Sequence, residues 1–254
     1  MSEFDLSGQP RELARDLHEM LLRASGVEEF LTEVAQRAAE TVNAVLSCGV
    51  TVQPTPQSRR IGASSSDFAR HMDEIQYALD DGPCLTAMRE GIVVVVENIK
   101  EDQRWPAFSR RGRAEGAGAS LAVPLRVQGG SIGALNLYAV EPCAFDDDDH
   151  ARARRFAEHA AGAVALAIRL AESEEHNRNL EAALSSRTTI DQALGILMGQ
   201  RRINAVDAFD ILRRLSQRSN IKLRDVAVAL IADVAGDPSP EEPPGERRSR
   251  NRPG

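Results

Sequence analysis

The chain of 254 residues is 42% hydrophobic and 27% charged, a composition typical of folded proteins, and its net charge of −7 argues against a chain dedicated throughout to nucleic acid. No run of about 18 apolar residues occurs, and the N-terminus lacks the regions of a secretion signal, so we expect a cytoplasmic protein without a membrane span. The three separated cysteines, Cys48, Cys84 and Cys143, favour reduced thiols over a disulfide framework or a CxxC metal site.

Hydrophobic periodicity predicts alternating helices and strands over the first 140 residues. Helices are expected over 9–24, 27–46, 68–79 and 83–90, the last ending at Gly91. Strands are expected over 48–53, 59–63 and 92–96, with a hairpin formed by 119–127 and 131–140. The polar connection through Trp105 is compatible with another helix.

Four consecutive aspartates, Asp146 to Asp149, precede a long helical stretch that begins near His150. Carboxylates at this position are explained by attraction to the positive end of the helix dipole. A calcium site is the alternative, but neither a glycine turn nor a bidentate glutamate follows at calcium-loop spacing.

The same helical stretch carries a heptad-like seam with a polar centre. Its positions are Leu166, Leu170, Ser173, Asn177, Leu180 and Leu184. Because a buried asparagine fixes register in two-stranded coils, the seam suggests a homodimer through a short coiled coil.

Residues 187–235 are predicted to form three amphipathic helices that bury their apolar stripes against one another. Phe209, the only aromatic residue of this segment, belongs to the second stripe, so we expect it to be buried. Residues 187–234 carry eight Lys or Arg and five Asp, a net charge of +3, whereas residues 1–186 sum to −10. This asymmetry predicts different partners for the two parts of the chain.

The three C-terminal helices carry an ordered set of motifs. They read Ser186-Arg187-x-x-Ile190-x-x-Ala193-Leu194-Gly195-Ile196-Leu197-Met198, then Ala205-x-x-Ala208-Phe209-x-x-Leu212-Arg213-x-x-Ser216, then Asn220-x-Lys222-Leu223-x-Asp225-Val226-Ala227. This series closely resembles the ANTAR domain of the AmiR and NasR antitermination regulators. The resemblance implies binding to a pair of small hairpins in nascent leader RNA, which prevents the competing terminator from forming. Many ANTAR domains have lysine where this chain has Leu194.

Candidate RNA contacts follow from the resemblance and from residue chemistry. Cationic side chains neutralise phosphates, while small residues at Ala193 and Gly195 either let another surface approach or serve helix packing. The candidate RNA-binding residues are Arg187, Gln192, Ala193, Gly195, Arg201, Arg213, Arg214, Lys222 and Arg224. With Phe209 expected in the core, recognition would rest on charge, loop shape and polar contacts rather than on base stacking.

Residues 26–170 resemble a GAF domain in the order of their elements. Similar motifs in actinobacterial GAF–ANTAR proteins match the segments Gln76-Tyr77-Ala78-Leu79-Asp80-Asp81-Gly82-Pro83-Cys84-Leu85 and Ser120-Leu121-Ala122-Val123-Pro124-Leu125, with Ile132-Gly133-Ala134-Leu135-Asn136-Leu137 as the returning strand. The resemblance implies a sheet between helices, with a pocket for a small-molecule ligand that the sequence does not identify.

The predicted fold class is therefore α+β. Its parts are an N-terminal helical extension (1–25), a GAF sensor domain with an antiparallel sheet (26–170), a linking helix (171–186), a three-helix ANTAR bundle (187–236) and a disordered tail (237–254).

The sequence predicts a transcription regulator and not an enzyme. The motifs GxxxxGK[ST] and HExxH are absent. Cys84 is interpreted as a packed thiol, with a redox or chromophore-binding thiol as the alternative. His71 is interpreted as an ordinary histidine, with a haem ligand as the alternative. A DNA-binding helix-turn-helix regulator and a protein-interaction module remain the alternatives to an RNA-binding protein.

Overall fold

The computed structural model describes residues 9–42, 47–55 and 57–235. The predicted disordered tail (237–254) and the first eight residues lie outside this range. The chain divides into two compact units, Met1–Ser173 and Glu174–Gly254. Within the described residues, no helix combines the length and hydrophobicity needed to cross a membrane.

The N-terminal unit is built on a five-stranded antiparallel sheet with the order β2-β1-β5-β4-β3. The strands are β1 (Ser47–Val52), β2 (Ile61–Ser64), β3 (Val94–Val96), β4 (Ala119–Val127) and β5 (Gly130–Ala139). The helices that accompany them are α1 (Gln9–Arg23), α2 (Val27–Thr41), α3 (Asp67–Leu79), α4 (Pro83–Glu90), α5 (Pro106–Ala114) and the first part of α6 (Asp147–Arg201).

The sheet is covered on both faces because side chains alternate along each strand. On β5, Leu135 and Leu137 join a core formed with α1, α2 and α6. Ala134 and Tyr138 point to the other face, where α3, α4 and α5 pack. The predicted α+β class, with an antiparallel sheet between helices, is thus confirmed.

The part of α6 that packs in the N-terminal unit is lined mainly by alanine. Fully or almost fully buried positions are Ala153, Ala157, Ala160, Ala161, Ala163 and Ala167, interspersed with Phe156, Val164 and Ile168. The helix starts at Asp147, and the Oδ1 atom of Asp146 accepts a hydrogen bond of 2.8 Å from the backbone N–H of Asp149. The acidic run therefore caps the helix, as one of its two interpretations predicts.

Two predicted elements were too long. The strand expected over 92–96 pairs with β4 only at Val94–Val96. The helix expected over 27–46 ends at Thr41, where Val42 takes an extended backbone conformation, and residues 43–46 lie outside the described range.

In the C-terminal unit, the end of α6 is followed by α7 (Ala205–Ser219) and α8 (Leu223–Ala235). Both ends of α7 are fixed by asparagine. The side chain of Asn204 accepts a hydrogen bond from the backbone N–H of Asp207 at 3.0 Å, and Asn220 ends the helix in the left-handed conformation, with a φ of 53°. The core of the three helices is small and contains Ala193, Leu197, Ala208, Leu212 and Ala227 as its fully buried members.

The prediction for Phe209 was wrong. Its side chain is 40% exposed, whereas Ala208 and Leu212 on the same helix are fully buried. Successive helical residues are rotated by about 100°, so the residue after Ala208 lies at the margin of a narrow buried stripe.

Candidate functional site

A cluster of polar side chains lies between the sheet and α3. It joins Asp73 and Gln76 of α3 to Thr51 of β1 and to Asn136 and Tyr138 of β5. All five residues are buried. A buried polar group is costly unless it is hydrogen-bonded, so the arrangement of this cluster is closely specified.

Asp73 is the centre of the cluster. Its Oδ1 atom accepts a hydrogen bond of 2.6 Å from the Tyr138 hydroxyl and one of 2.9 Å from Nδ2 of Asn136. Oδ2 has no hydrogen-bond donor among the described residues. The carboxyl group is thus fixed by one oxygen and leaves the other available.

Further hydrogen bonds extend the cluster in two directions. Gln76 donates from Nε2 to the Tyr138 hydroxyl at 2.9 Å, and its Oε1 accepts from the backbone N–H of Cys84 at 2.8 Å. Thr51 Oγ1 lies 2.7 Å from the Tyr77 hydroxyl and accepts from Nδ2 of Asn136 at 3.1 Å. The cluster consequently connects β1 and β5 with α3 and the start of α4.

Burial dominates the acid–base chemistry of this region. It raises the pKa of Asp73 to about 7, although the hydrogen bonds from Tyr138 and Asn136 oppose the rise. Burial also raises the pKa of the Tyr138 hydroxyl well above its ordinary value, and the neighbouring Asp73 adds to that rise. Near neutral pH, the carboxyl of Asp73 is therefore poised between its protonated and ionised forms.

Two glycines provide the space that the cluster needs. A Cβ atom at Gly49 would overlap Oδ2 of Asp73, and one at Gly62 would lie 2.8 Å from the Tyr77 hydroxyl. Gly49 pairs with Asn136 across the sheet, so this space opens beside the polar cluster.

A surface cleft of about 450 Å³ reaches the same carboxyl group. It lies between α2, β2 and α3, and its charged lining residues are Glu28, Arg70, Asp73 and Glu74. Arg70 is engaged by Asp67 at 2.7 Å and by Glu74 at 3.4 Å. Acidic groups thus outnumber basic ones in the lining.

The sequence singled out two side chains in this domain, Cys84 and His71, and neither has the surroundings of a reactive group. Cys84 is completely buried, and burial raises its pKa to about 12, which is the opposite of what a reactive thiolate requires. His71 is exposed on α3, with Nδ1 at 3.9 Å from a carboxylate oxygen of Glu115. The packed-thiol and ordinary-histidine interpretations fit these surroundings.

The C-terminal unit presents exposed cations on all three of its helical segments. Arg187 lies 3.9 Å from Asp191, and Arg213 pairs with Asp210 at 2.8 Å. Seven other Lys or Arg side chains are exposed and have no ion pair within the described part of the chain: Arg178, Arg201, Arg202, Arg214, Arg218, Lys222 and Arg224. These charges are free to meet an anionic partner.

The small and polar candidates of α6 differ in accessibility. Ala193 is completely buried in the core of the unit, so its small size serves packing and its surface is not accessible to RNA. Gly195 and Gln192 are exposed, and a Cβ atom at Gly195 would meet nothing within 4 Å.

Sequence reasoning missed the Asp73 cluster. A signal was present, because Ala69, Asp73 and Gln76 follow one another at helical spacing beside the apolar Met72. Asn136 and Tyr138 likewise alternate with leucines on β5. Polar residues on buried stripes of two elements indicate a buried polar site, although not which residues meet.

The structure thus combines an α+β domain that contains a buried polar site with a helical module that carries exposed cations. The family model of the GAF domain matches residues 24–165, and that of the ANTAR domain matches residues 178–231. The chain belongs to the GAF domain family and carries a C-terminal ANTAR domain. At family level, this architecture is that of an RNA-binding antitermination regulator controlled by a sensor domain.

No curated protein matches the chain. Among solved structures, it is similar to the GAF domain of an Acinetobacter phosphoenolpyruvate-protein phosphotransferase, at 14% identity over 66% of this chain and 99% of that chain, with a TM-score of 0.48. It is also similar to the free methionine-R-sulfoxide reductase of Neisseria meningitidis, at 17% identity over 67% of this chain and 96% of the other, with a TM-score of 0.47. The type II enzyme of Thermoplasma acidophilum matches at 18% identity over 56% and 94% of the chains, with a TM-score of 0.43.

Proposed function

We propose that this chain is a signal-responsive antitermination regulator whose ANTAR domain binds a pair of hairpins in leader RNA. The observation that carries the proposal is the set of seven exposed Lys and Arg side chains without ion pairs in the described ANTAR residues. Binding to the hairpins holds the leader in a form that excludes the terminator.

The proposed RNA contacts are made by exposed residues in or directly beside the three helical segments. They are Arg187, Gln192, Gly195, Arg201, Arg213, Arg214, Lys222 and Arg224, with Ala193 left out because it is buried. Cations without a protein partner bind phosphates without first breaking an ion pair, and the released counterions make the affinity salt-dependent.

Binding of the full chain to labelled RNA tests this function. Fluorescence anisotropy would compare a two-hairpin leader RNA, a single hairpin and duplex DNA between 50 and about 200 mM salt. We expect the two-hairpin RNA to bind most tightly and its affinity to fall steeply with salt. Tighter binding to duplex DNA would favour a helix-turn-helix regulator, and RNA affinity independent of salt would favour a protein-interaction module.

We further propose a homodimer through the seam on α6. Leu166, Leu170, Leu180 and Leu184 are all exposed in the single chain, Leu184 by 65%, and Asn177 lies between them. A second copy is the occupant that a heptad with a central asparagine suits. Two chains together would offer two ANTAR domains to the two hairpins.

The oligomeric state of variants tests the dimer. In light scattering after size exclusion, we expect the wild-type chain to have twice the monomer mass and Leu180→Glu to dissociate it. The matched substitution Val206→Glu, at an exposed residue of α7 outside the seam, is expected to leave the mass unchanged. A monomeric wild-type chain would remove this part of the proposal.

We propose that the GAF domain senses rather than catalyses. The two buried thiols of the domain, Cys48 and Cys84, have raised pKa values because both are desolvated. Incubation with free methionine-R-sulfoxide and a dithiol reductant, the reaction class named for two of the solved relatives, is expected to give no turnover. Product formation that disappears in Cys84→Ser would overturn this assignment.

A further inference from the structure

The cleft beside α3 ends at a carboxyl group that is itself buried. Asp73 is 3% exposed and yet contributes to the lining of the cleft. One of its oxygens accepts two hydrogen bonds, while Oδ2 has no donor among the described residues. Oδ2 is in contact with solvent rather than sealed in the core, so a ligand in the cleft can supply its donor.

The backbone around Oδ2 is shaped to leave room for it. Gly49 lies directly beside this oxygen, where any side chain would overlap it. Gly62, which itself lines the cleft, lies on the neighbouring strand β2. Gly49 thus makes room for Oδ2 itself, and Gly62 makes room for the Tyr77 hydroxyl at the cleft.

The charges of the cleft select the kind of ligand. Glu28 on α2 and Glu74 on α3 line it together with Asp73, and Arg70 is the basic residue of the lining. The guanidinium of Arg70 is shared between Glu74 and Asp67, so it does not neutralise Asp73. An excess of acceptors and negative charge favours a positively charged hydrogen-bond donor.

We infer that this cleft binds a small organic cation, with an ammonium or guanidinium group that donates to Oδ2 of Asp73 and is held at its rim by Glu28 and Glu74. The inference rests on the proposed sensor role of the GAF domain and names the chemical class of its ligand. Occupation would reach β5 through Tyr138 and Asn136, which already hold the other carboxylate oxygen.

Thermal unfolding of the full chain tests the inference. The fluorescence of Trp105 reports on the N-terminal unit, because it is the only tryptophan and is buried there. Agmatine and putrescine are the cationic probes, compared with sodium chloride at equal ionic strength and with succinate. We expect the unfolding midpoint to rise with the logarithm of the agmatine or putrescine concentration and to be unaffected by succinate.

Substitutions locate the site. Asp73→Asn is expected to abolish the shift, and Glu28→Gln to weaken the apparent affinity about twofold, as for an exposed charge pair. Glu90→Gln, which removes the same charge from an exposed position of α4 outside the cleft, is expected to leave the shift unchanged. Should Asp73→Asn fail to fold, Glu28→Gln decides the question by itself.

Two outcomes overturn the inference: absence of a shift in the wild-type chain with either cation, or equal shifts in wild type, Asp73→Asn and Glu28→Gln. Binding of the wild-type chain to hairpin RNA is measured separately by anisotropy. A chain that binds RNA but not the cations retains the proposed function and loses only the inferred ligand. A chain that binds the cations but not RNA retains the inferred ligand and loses the proposed function.

Discussion

The hydroxyl of Tyr138 donates a hydrogen bond of 2.6 Å to Oδ1 of Asp73, and both side chains are almost completely buried. Tyr138 belongs to β5, the central strand of the sheet, while Asp73 belongs to α3. One hydrogen bond therefore ties a helix to the sheet through a group whose pKa lies near physiological pH.

Stability of the N-terminal unit is expected to depend on pH through Asp73. Below about pH 4, the carboxyl is protonated in both folded and unfolded chains. Between about pH 4 and the folded pKa of about 7, the unfolded chain loses the proton while the folded chain retains it, so the free energy of unfolding falls. Above this range both states are ionised and the decline ends.

The measurement is urea unfolding followed by Trp105 fluorescence at several pH values in wild type and Asp73→Asn. From pH 4 to 7.5, the wild type is expected to lose stability relative to the variant, on the order of 3–4 kcal/mol. All other ionisable groups are present in both proteins, so their effect cancels in the difference. If the difference in the free energy of unfolding between wild type and Asp73→Asn were the same at every pH, the pKa of Asp73 would not be raised in the folded chain.

Gly49→Ala is expected to destabilise the N-terminal unit by about 1–3 kcal/mol, because the new methyl group overlaps Oδ2 of Asp73 and forces it to move. Urea unfolding monitored by Trp105 measures the effect. The matched substitution is Gly162→Ala in the same unit, where a Cβ atom meets nothing within 4 Å on an exposed face of α6. Gly162→Ala is expected to stabilise the N-terminal unit by about 0.5–1 kcal/mol. If Gly49→Ala and Gly162→Ala had equal effects, Gly49 would not be packed against Asp73.

Arg214→Gln is expected to weaken RNA binding and to reduce the slope of the logarithm of affinity against the logarithm of salt concentration by about 0.7–1. Arg214 is exposed on α7 without an ion pair in the described residues, so its charge is available to a phosphate. Arg110→Gln, an equally exposed position on α5, serves as the control. An unchanged slope for Arg214→Gln would take this residue out of the interface.

Asn204→Ala is expected to destabilise the ANTAR domain by about 1 kcal/mol, because the backbone N–H of Asp207 loses its acceptor at the start of α7. Asn204→Ser keeps an acceptor and is expected to retain most of the stability. The loss should appear in the thermal transition measured by far-ultraviolet ellipticity, while the Trp105 transition of the other unit stays in place. A shift of the Trp105 transition alone would be inconsistent with this local role.

Local signals in the sequence predicted much of the fold. The end of α4 was foreseen from Gly91, which has a φ of 66°, and the Asn204 cap at the start of α7 is likewise a local feature of the sequence. Such caps depend on residues a few positions apart. The strand at Val94–Val96 was overextended because β-branched residues favour extended backbone, whereas only pairing with a neighbour sets a strand's length.

The site was less predictable because its members are distant in sequence. Thr51, Asp73 and Asn136 meet only after β1 and β5 have paired and α3 has packed on them. The apolar stripe of α7 identified the helix face that packs in the core. It did not show that the buried part of this face is too narrow to include Phe209. Small core residues such as Ala193 and Ala208 leave little depth in which to bury an aromatic ring.

The alanines of α6 limit the size of the side chains that this helix can carry. A methyl group projects little from a helix, so Ala153, Ala157, Ala160 and Ala167 let α6 lie close to the rest of the core, with Phe156 buried among them. Because protein cores are close-packed, a larger side chain at any of these four positions would have to displace its neighbours. The close approach of α6 therefore depends on residues that have almost no side chain.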